Sequence, residues 1–159
     1  MTKLNKTAIN LDASLREQLV ALLNQRVGLL MDLYIQTKLA HWNVRGPHFI
    51  AYHELFDAIA GHLLEAQDSI AERAATLGGS AGMTVQDIAQ DSPLTTWPMG
   101  TRQDHDVIGL LAERLGQVSN YIRQDIDSST KLGDADTADL FTEVSRELDH
   151  DLWFLEAHL

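Results

Sequence analysis

The placement of its helix breakers limits this chain more than anything else in it. Pro47, Pro93 and Pro98 are its three prolines, and most of its 10 glycines gather near turns. Proline removes a backbone donor and glycine loses the most backbone entropy on ordering, so the long intervals between them are free to be helical. Apolar residues in those intervals recur three to four apart. Ser14-Leu15-Arg16-Glu17 fits a capping box, and Leu15, Leu19, Leu22, Leu23, Leu29, Leu30 and Leu33 predict a first helix to about His41. Pro47 is placed to open a second, which runs to Leu77 and stops at Gly78-Gly79. Residues 78–100 hold too many breakers for a full helix, with a short one expected over 85–90. Thr101-Arg102-Gln103-Asp104 supplies the next cap, and Val107, Leu111, Leu115, Val118 and Ile122 carry a helix through about Ser128. Gly133 breaks it, residues 134–139 offer cap candidates, and Leu140, Val144, Leu148, Leu152 and Leu155 predict the last helix. Four long helices with one long crossover between the second and third give an all-α bundle over residues 12–159, behind a polar tail, 1–11, expected to be flexible.

Composition removes several classes of function. A chain of 159 residues suits one domain, and the absence of cysteine excludes disulfides, thiolate metal sites and thiol catalysis. The net charge of -11 opposes phosphate and favours cations. The first residues lack the apolar segment of a secretion signal, and no run approaches the ~18 apolar residues of a membrane span. The expected location is the cytoplasm, with no membrane contact.

The second helix reads as having two faces. Taking Phe56 as zero and about 100° per residue, Phe49, Tyr52, Ile59, Leu63, Ile70, Ala74 and Leu77 form the stripe that faces the chain's own core. His53, Asp57, Asp68 and Glu72 fall between about 60° and 160°, with Ile50, Ala60, Gly61, Leu64, Ala71 and Ala75 beside them. Small and apolar neighbours mark a face that meets a partner. Asp57 and Asp68 are eleven residues apart, roughly 16 Å along the axis, so one ion does not reach both. Two copies packed antiparallel about a twofold axis would bring the His53-Asp57 end of each to the Asp68-Glu72 end of the other. His41, at the end of the preceding helix, can swing toward His53 and Asp57. Such a shell suits Fe(II), Mn(II) or Zn(II), with redox chemistry open to iron. An isolated histidine and carboxylate one turn apart is ordinarily a local pairing; here two such sets share a face.

Those residues carry a resemblance. The run Lys38-Leu39-Ala40-His41-Trp42-Asn43-Val44-Arg45-Gly46-Pro47-His48-Phe49, then His53-Glu54-xx-Asp57 and Asp68-xxx-Glu72-Arg73-Ala74, resembles the Dps mini-ferritins, the DNA-protection-during-starvation proteins. It continues through Leu77-Gly78-Gly79, Asp136-Thr137-Ala138-Asp139, Ser145-Arg146-Glu147-Leu148-Asp149 and Leu152-Trp153-Phe154. The resemblance implies a ferritin-like four-helix bundle with a short extra helix between helices 2 and 3, assembled as a hollow homododecamer. It implies ferroxidase centres shared across twofold interfaces, with His41, His53 and Asp57 from one subunit and Asp68 and Glu72 from the other. Each centre would hold two iron positions, with zinc or manganese as competitors, and would oxidise Fe(II) with peroxide preferred over dioxygen. The ferric product would be stored as mineral, which protects DNA from Fenton chemistry. Lys38 is expected to pair with Asp68 and weaken one iron position. Trp42 is expected either to intercept oxidising equivalents or to pack the helix end. Asp134, Asp136 and Asp139 would line an acidic pore, capping being the other role for one of them.

The DNA-compacting alternative rests on Lys3, Lys6 and the terminal amine, set against an acidic body. Glu147-xx-His150 occurs once and reads as exposed residues, with Asp149 and Asp151 as solvated charge. His48, His62, His105 and His158 are given no role.

Overall fold

A computed structural model of the chain describes residues 4–159; Met1, Thr2 and Lys3, the start of the expected flexible tail, lie outside the described residues. The described residues form α1 (Ala13–Asn43), α2 (Phe49–Thr76), α3 (Val85–Asp91), α4 (Asp104–Lys131) and α5 (Ala135–Glu156). α1 packs along α2 and α4 along α5, and the two hairpins close on each other. The layout is the predicted four-helix bundle, with α3 inside the long crossover. No described helix is long and apolar enough to cross a membrane.

Most of the predicted apolar positions make the core, joined by Ile108 and Phe141, whereas Phe49, expected in the core stripe of α2, is 38% exposed. Leu19, Leu23, Leu30 and Leu33 meet Phe56, Ile59, Leu63 and Ile70, while Ile108, Leu111, Phe141 and Leu155 close the other side, all fully buried. Each such side chain contributes about 1.5–3 kcal/mol by leaving water.

Local chemistry sets the helix ends, and in places differently from the sequence reading. α1 begins at Ala13 with Asp12 as N-cap and no side-chain cap bond. Ser14 therefore lies inside the first turn, where its hydroxyl no longer reaches a free N–H, and the expected capping box does not form. The capping box belongs to α3: the Thr84 hydroxyl accepts from the Asp87 N–H at 3.2 Å, and the Asp87 carboxylate accepts from the Thr84 N–H. α2 starts at Phe49 rather than Pro47, which lies in the preceding turn, and within the expected run Thr101-Arg102-Gln103-Asp104 it is Gln103 that stands as N-cap of α4, without a side-chain cap bond. α2 and α4 both end in a Schellman motif. Gly79 N–H bonds Ala74 O while Gly78 N–H bonds Ala75 O, and Asp134 N–H bonds Ser129 O while Gly133 N–H bonds Thr130 O. Gly78 and Gly133 hold the required left-handed position at φ 88° and 81°. α4 thus runs to Lys131, past the expected Ser128.

Residues 4–11 are non-helical, but they are tied down rather than free. Asn5 N–H donates to Gly78 O at 2.7 Å, Arg16 Nη1 donates to Leu77 O at 2.9 Å, and Leu4, Ile9 and Leu11 pack against the core.

Candidate metal centre

The end of α1 and the start of α2 bring His41 and His53 face to face, their rings stacked at 3.7 Å and 20°. Their hydrogen bonds are reciprocal: His41 Nδ1 lies 2.8 Å from His53 O, and His53 Nδ1 lies 2.9 Å from His41 O. A carbonyl only accepts, so each Nδ1 carries a proton, and Nε2 is the atom each ring can offer a metal. His41 Nε2 lies 3.9 Å from Asp57 Oδ1, and the Asp57 side chain is 59% exposed.

Lys38 Nζ sits 2.5 Å from Asp57 Oδ1. Its hydrogen bond, then its charge, hold the Asp57 carboxyl below its ordinary value, with smaller help from His41 and His53. The expected partner of Lys38 was Asp68; within one chain the ammonium takes Asp57, because Asp68 lies three turns further along α2. The same ammonium stands over the Trp42 ring at 5.7 Å, and Trp42 is largely exposed, so within one chain it does not pack the helix end.

Asp68 and Glu72 stay apart from this cluster. Both are exposed on α2, and their carboxylates have no hydrogen-bond or ion-pair partner among the described residues. One chain thus unites His41, His53 and Asp57 and leaves Asp68 and Glu72 facing outward. On the same face of α2, Ile50 is 62% and Leu64 44% exposed.

The acidic start of α5 divides. Asp134 is buried and bound by Arg73 Nη2 at 2.8 and 2.9 Å and by the Thr137 hydroxyl. Burial alone would raise its carboxyl; the Thr137 hydroxyl and the Arg73 guanidinium outweigh that and hold it low. Asp134 is therefore not presented as the sequence reading expected of a pore residue, whereas Asp136 and Asp139 are exposed.

Several residues dismissed from sequence have partners. Asp151 is buried, not solvated; His62 Nδ1 lies 3.0 Å from Asp151 Oδ1 and 3.2 Å from Glu147 Oε1. Burial lowers the His62 imidazole, but the hydrogen bond and charge of Asp151, aided by Glu147, raise it overall. Burial raises the Asp151 carboxyl despite His62. Asp149 accepts from Ser119 and Arg123, and His48 lies 3.0 Å from Asp104. The signal for Asp151 was present: Val144, Leu148, Asp151 and Leu155 follow a 4-3-4 spacing, which puts a carboxylate in the apolar stripe of α5.

Comparison with known proteins agrees over nearly the whole chain. The Ferritin family, ferritin-like domain, matches residues 20–159. The DNA protection during starvation protein of Agrobacterium fabrum (strain C58) is 43% identical over 157 residues, covering 99% of this chain and 97% of that protein. The protein of that name from Mycolicibacterium smegmatis is 35% identical over 141 residues, covering 87% and 75%. Among solved structures, DpsA14 from Streptomyces coelicolor superposes with a TM-score of 0.93 at 30% identity, covering 99% and 94%. Mycobacterium smegmatis Dps gives 0.91 at 28%, covering 99% and 94%.

Proposed function

Because the chain belongs to the Dps proteins of the ferritin-like family, we propose that it oxidises Fe(II) at centres completed between two copies and stores the ferric product. The supporting observation is the reciprocal imidazole pair, which leaves two Nε2 lone pairs beside Asp57 on an α2 face that also carries unpartnered Asp68 and Glu72. Fe(II) is the substrate. His41, His53 and Asp57 of one copy and Asp68 and Glu72 of the other supply a mixed imidazole and carboxylate shell suited to it.

The chain's residues prepare that site before iron arrives. The carbonyl-bound Nδ1 protons hold both imidazoles in the orientation that offers Nε2 to a cation, so no ring must turn. The Lys38 ammonium neutralises Asp57 and is displaced by the more highly charged substrate. Exposed Ile50 and Leu64 lie among the ligands and would be covered by the second α2. With peroxide as oxidant, two Fe(II) each give one electron, the O–O bond breaks, and two protons complete two waters. No one-electron hydroxyl radical leaves the site. Glu72 would serve both iron positions, and the exposed Asp136 and Asp139 would lead cations in. Twelve copies would enclose the store, as the Dps resemblance implies.

Protection of DNA in this reading works through iron chemistry. The acidic body opposes direct phosphate binding, and a gel shift at moderate salt would separate the two. Peroxide-driven Fe(II) oxidation by an Asp68→Ala/Glu72→Ala protein is the decisive assay; an unchanged rate overturns the proposal.

A further inference from the structure

The seam between α2 and α5 holds a second set of donors, all within a single chain. Glu147 and Asp151 stand one turn apart on α5, and His62 faces them from α2. The three donor atoms lie within 4.8 Å of one another. Ligands that share a transition-metal ion at about 2.0–2.2 Å stand roughly 3.0–3.4 Å apart along a coordination edge. The 3.0 Å from His62 Nδ1 to Asp151 and the 3.2 Å to Glu147 are already such edges. Exchanging the shared proton for a cation asks little movement of any side chain.

Charge and access point the same way. A groove of about 320 Å³ runs along this seam, lined by His62, Glu65, Glu143 and Glu147 among others, with no lysine or arginine in its wall. Carboxylates gathered without a protein cation concentrate small cations. Asp151, 3% exposed, is not in the groove wall but is reached through His62, while the His62 and Glu147 side chains remain 35% and 49% exposed, so an ion can arrive from solvent and keep water ligands. The buried Asp151 carboxylate has His62 close by and His150 only at 3.9 Å among the described residues. A neutral His62 leaves that carboxylate poorly compensated, and a divalent ion compensates it in full.

We propose that His62, Glu147 and Asp151 form a mononuclear site for a divalent transition-metal cation in each chain, separate from the centre between copies. One imidazole and two carboxylates suit Fe(II), Mn(II), Zn(II) or Co(II). The site needs no second copy and does not depend on the interface reading.

Co(II) is the probe, followed by visible absorption and equilibrium dialysis on the full-length assembled protein. The Asp68→Ala/Glu72→Ala parent, which lacks two of the three interface carboxylates, binds one more Co(II) per chain than the same protein carrying His62→Gln. Glu147→Gln alters only a half-exposed side chain, and in that parent it weakens this ion about tenfold or more. If the trio is merely an ion pair joining α2 to α5, the substitutions lower the melting temperature and leave Co(II) binding unchanged. Equal Co(II) binding in the three proteins overturns the proposal.

Discussion

Along its α1 edge, α2 sets His53 and Asp57 beside His41 and Lys38; along its α5 edge it sets His62 beside Glu147 and Asp151. Both clusters mix imidazole and carboxylate on the same helix, yet they handle charge in opposite ways. At the α1 edge the carboxylates are exposed: Asp57 holds a lysine, while Asp68 and Glu72 hold nothing among the described residues. Their charge costs nothing to maintain while water covers it, so they can wait for a second copy. At the α5 edge Asp151 is already out of water, and its partner had to come from the same chain. In the proposed reading, exposed, unpartnered donors belong to chemistry that depends on assembly. A buried donor with an in-chain imidazole marks a site complete in one chain.

Breaking assembly tests this contrast most severely. Ile50→Glu/Leu64→Glu places charge in the exposed apolar face while leaving every ligand in place. It is expected to yield monomers by light scattering, with peroxide-driven Fe(II) oxidation down more than about a hundredfold and Co(II) at the α5 edge retained. Oxidation that survives in monomers would erase the distinction. Asp68→Ala/Glu72→Ala should lower oxidation by about a hundredfold while light scattering still reports the wild-type assembly and circular dichroism is unchanged.

Asp134 calibrates what a buried carboxylate does when its role is structural. Removing it in Asp134→Ala leaves Arg73 with only the Thr137 hydroxyl and the more distant Asp136, and should cost about 2 kcal/mol in urea unfolding, discounted because the guanidinium is partly exposed. Its folded carboxyl titrates below the ordinary value of 3.8, so its contribution is present above pH 3.8 and is lost as pH falls through the lower folded value. The gap between wild type and Asp134→Asn should narrow below pH 3.8. Lys38→Met carries the smallest effect: freeing Asp57 should tighten the apparent Fe(II) affinity by less than about fivefold in a dialysis titration.

The fold was legible because breakers and apolar period act within one helix, and both survive in the sequence unaided. The helix ends were less so. Ser14 and Glu17 have the spacing of a capping box, but the N-cap falls two residues earlier, at Asp12, and nothing local reveals that. For the α1 edge, a helical wheel sufficed to put His53, Asp57, Asp68 and Glu72 on one face. The wheel gave no view of the carbonyl bonds that fix both imidazole tautomers, since these depend on how α1 returns against α2. The α5 edge went unread for the same reason. His62 and Asp151 lie 89 positions apart, and only packing joins them. The single occurrence of Glu147-xx-His150 drew attention to His150, whereas the buried donor is the next residue.

The turn that carries the imidazole pair has support from far along the chain. Arg45 N–H bonds Arg102 O at 2.7 Å, Asp104 N–H bonds Arg45 O at 2.9 Å, and the Asp104 carboxylate accepts from His48 N–H at 3.0 Å. The consequence is one of timing during synthesis. A ribosome that has released α1 and α2 has delivered every donor of the proposed centre, yet the bridge that steadies the turn between them is still unmade. It forms only when the crossover has emerged and the start of α4 comes back to Arg45. A nascent chain halted before residue 104 therefore carries the ligands without the brace that holds them in register.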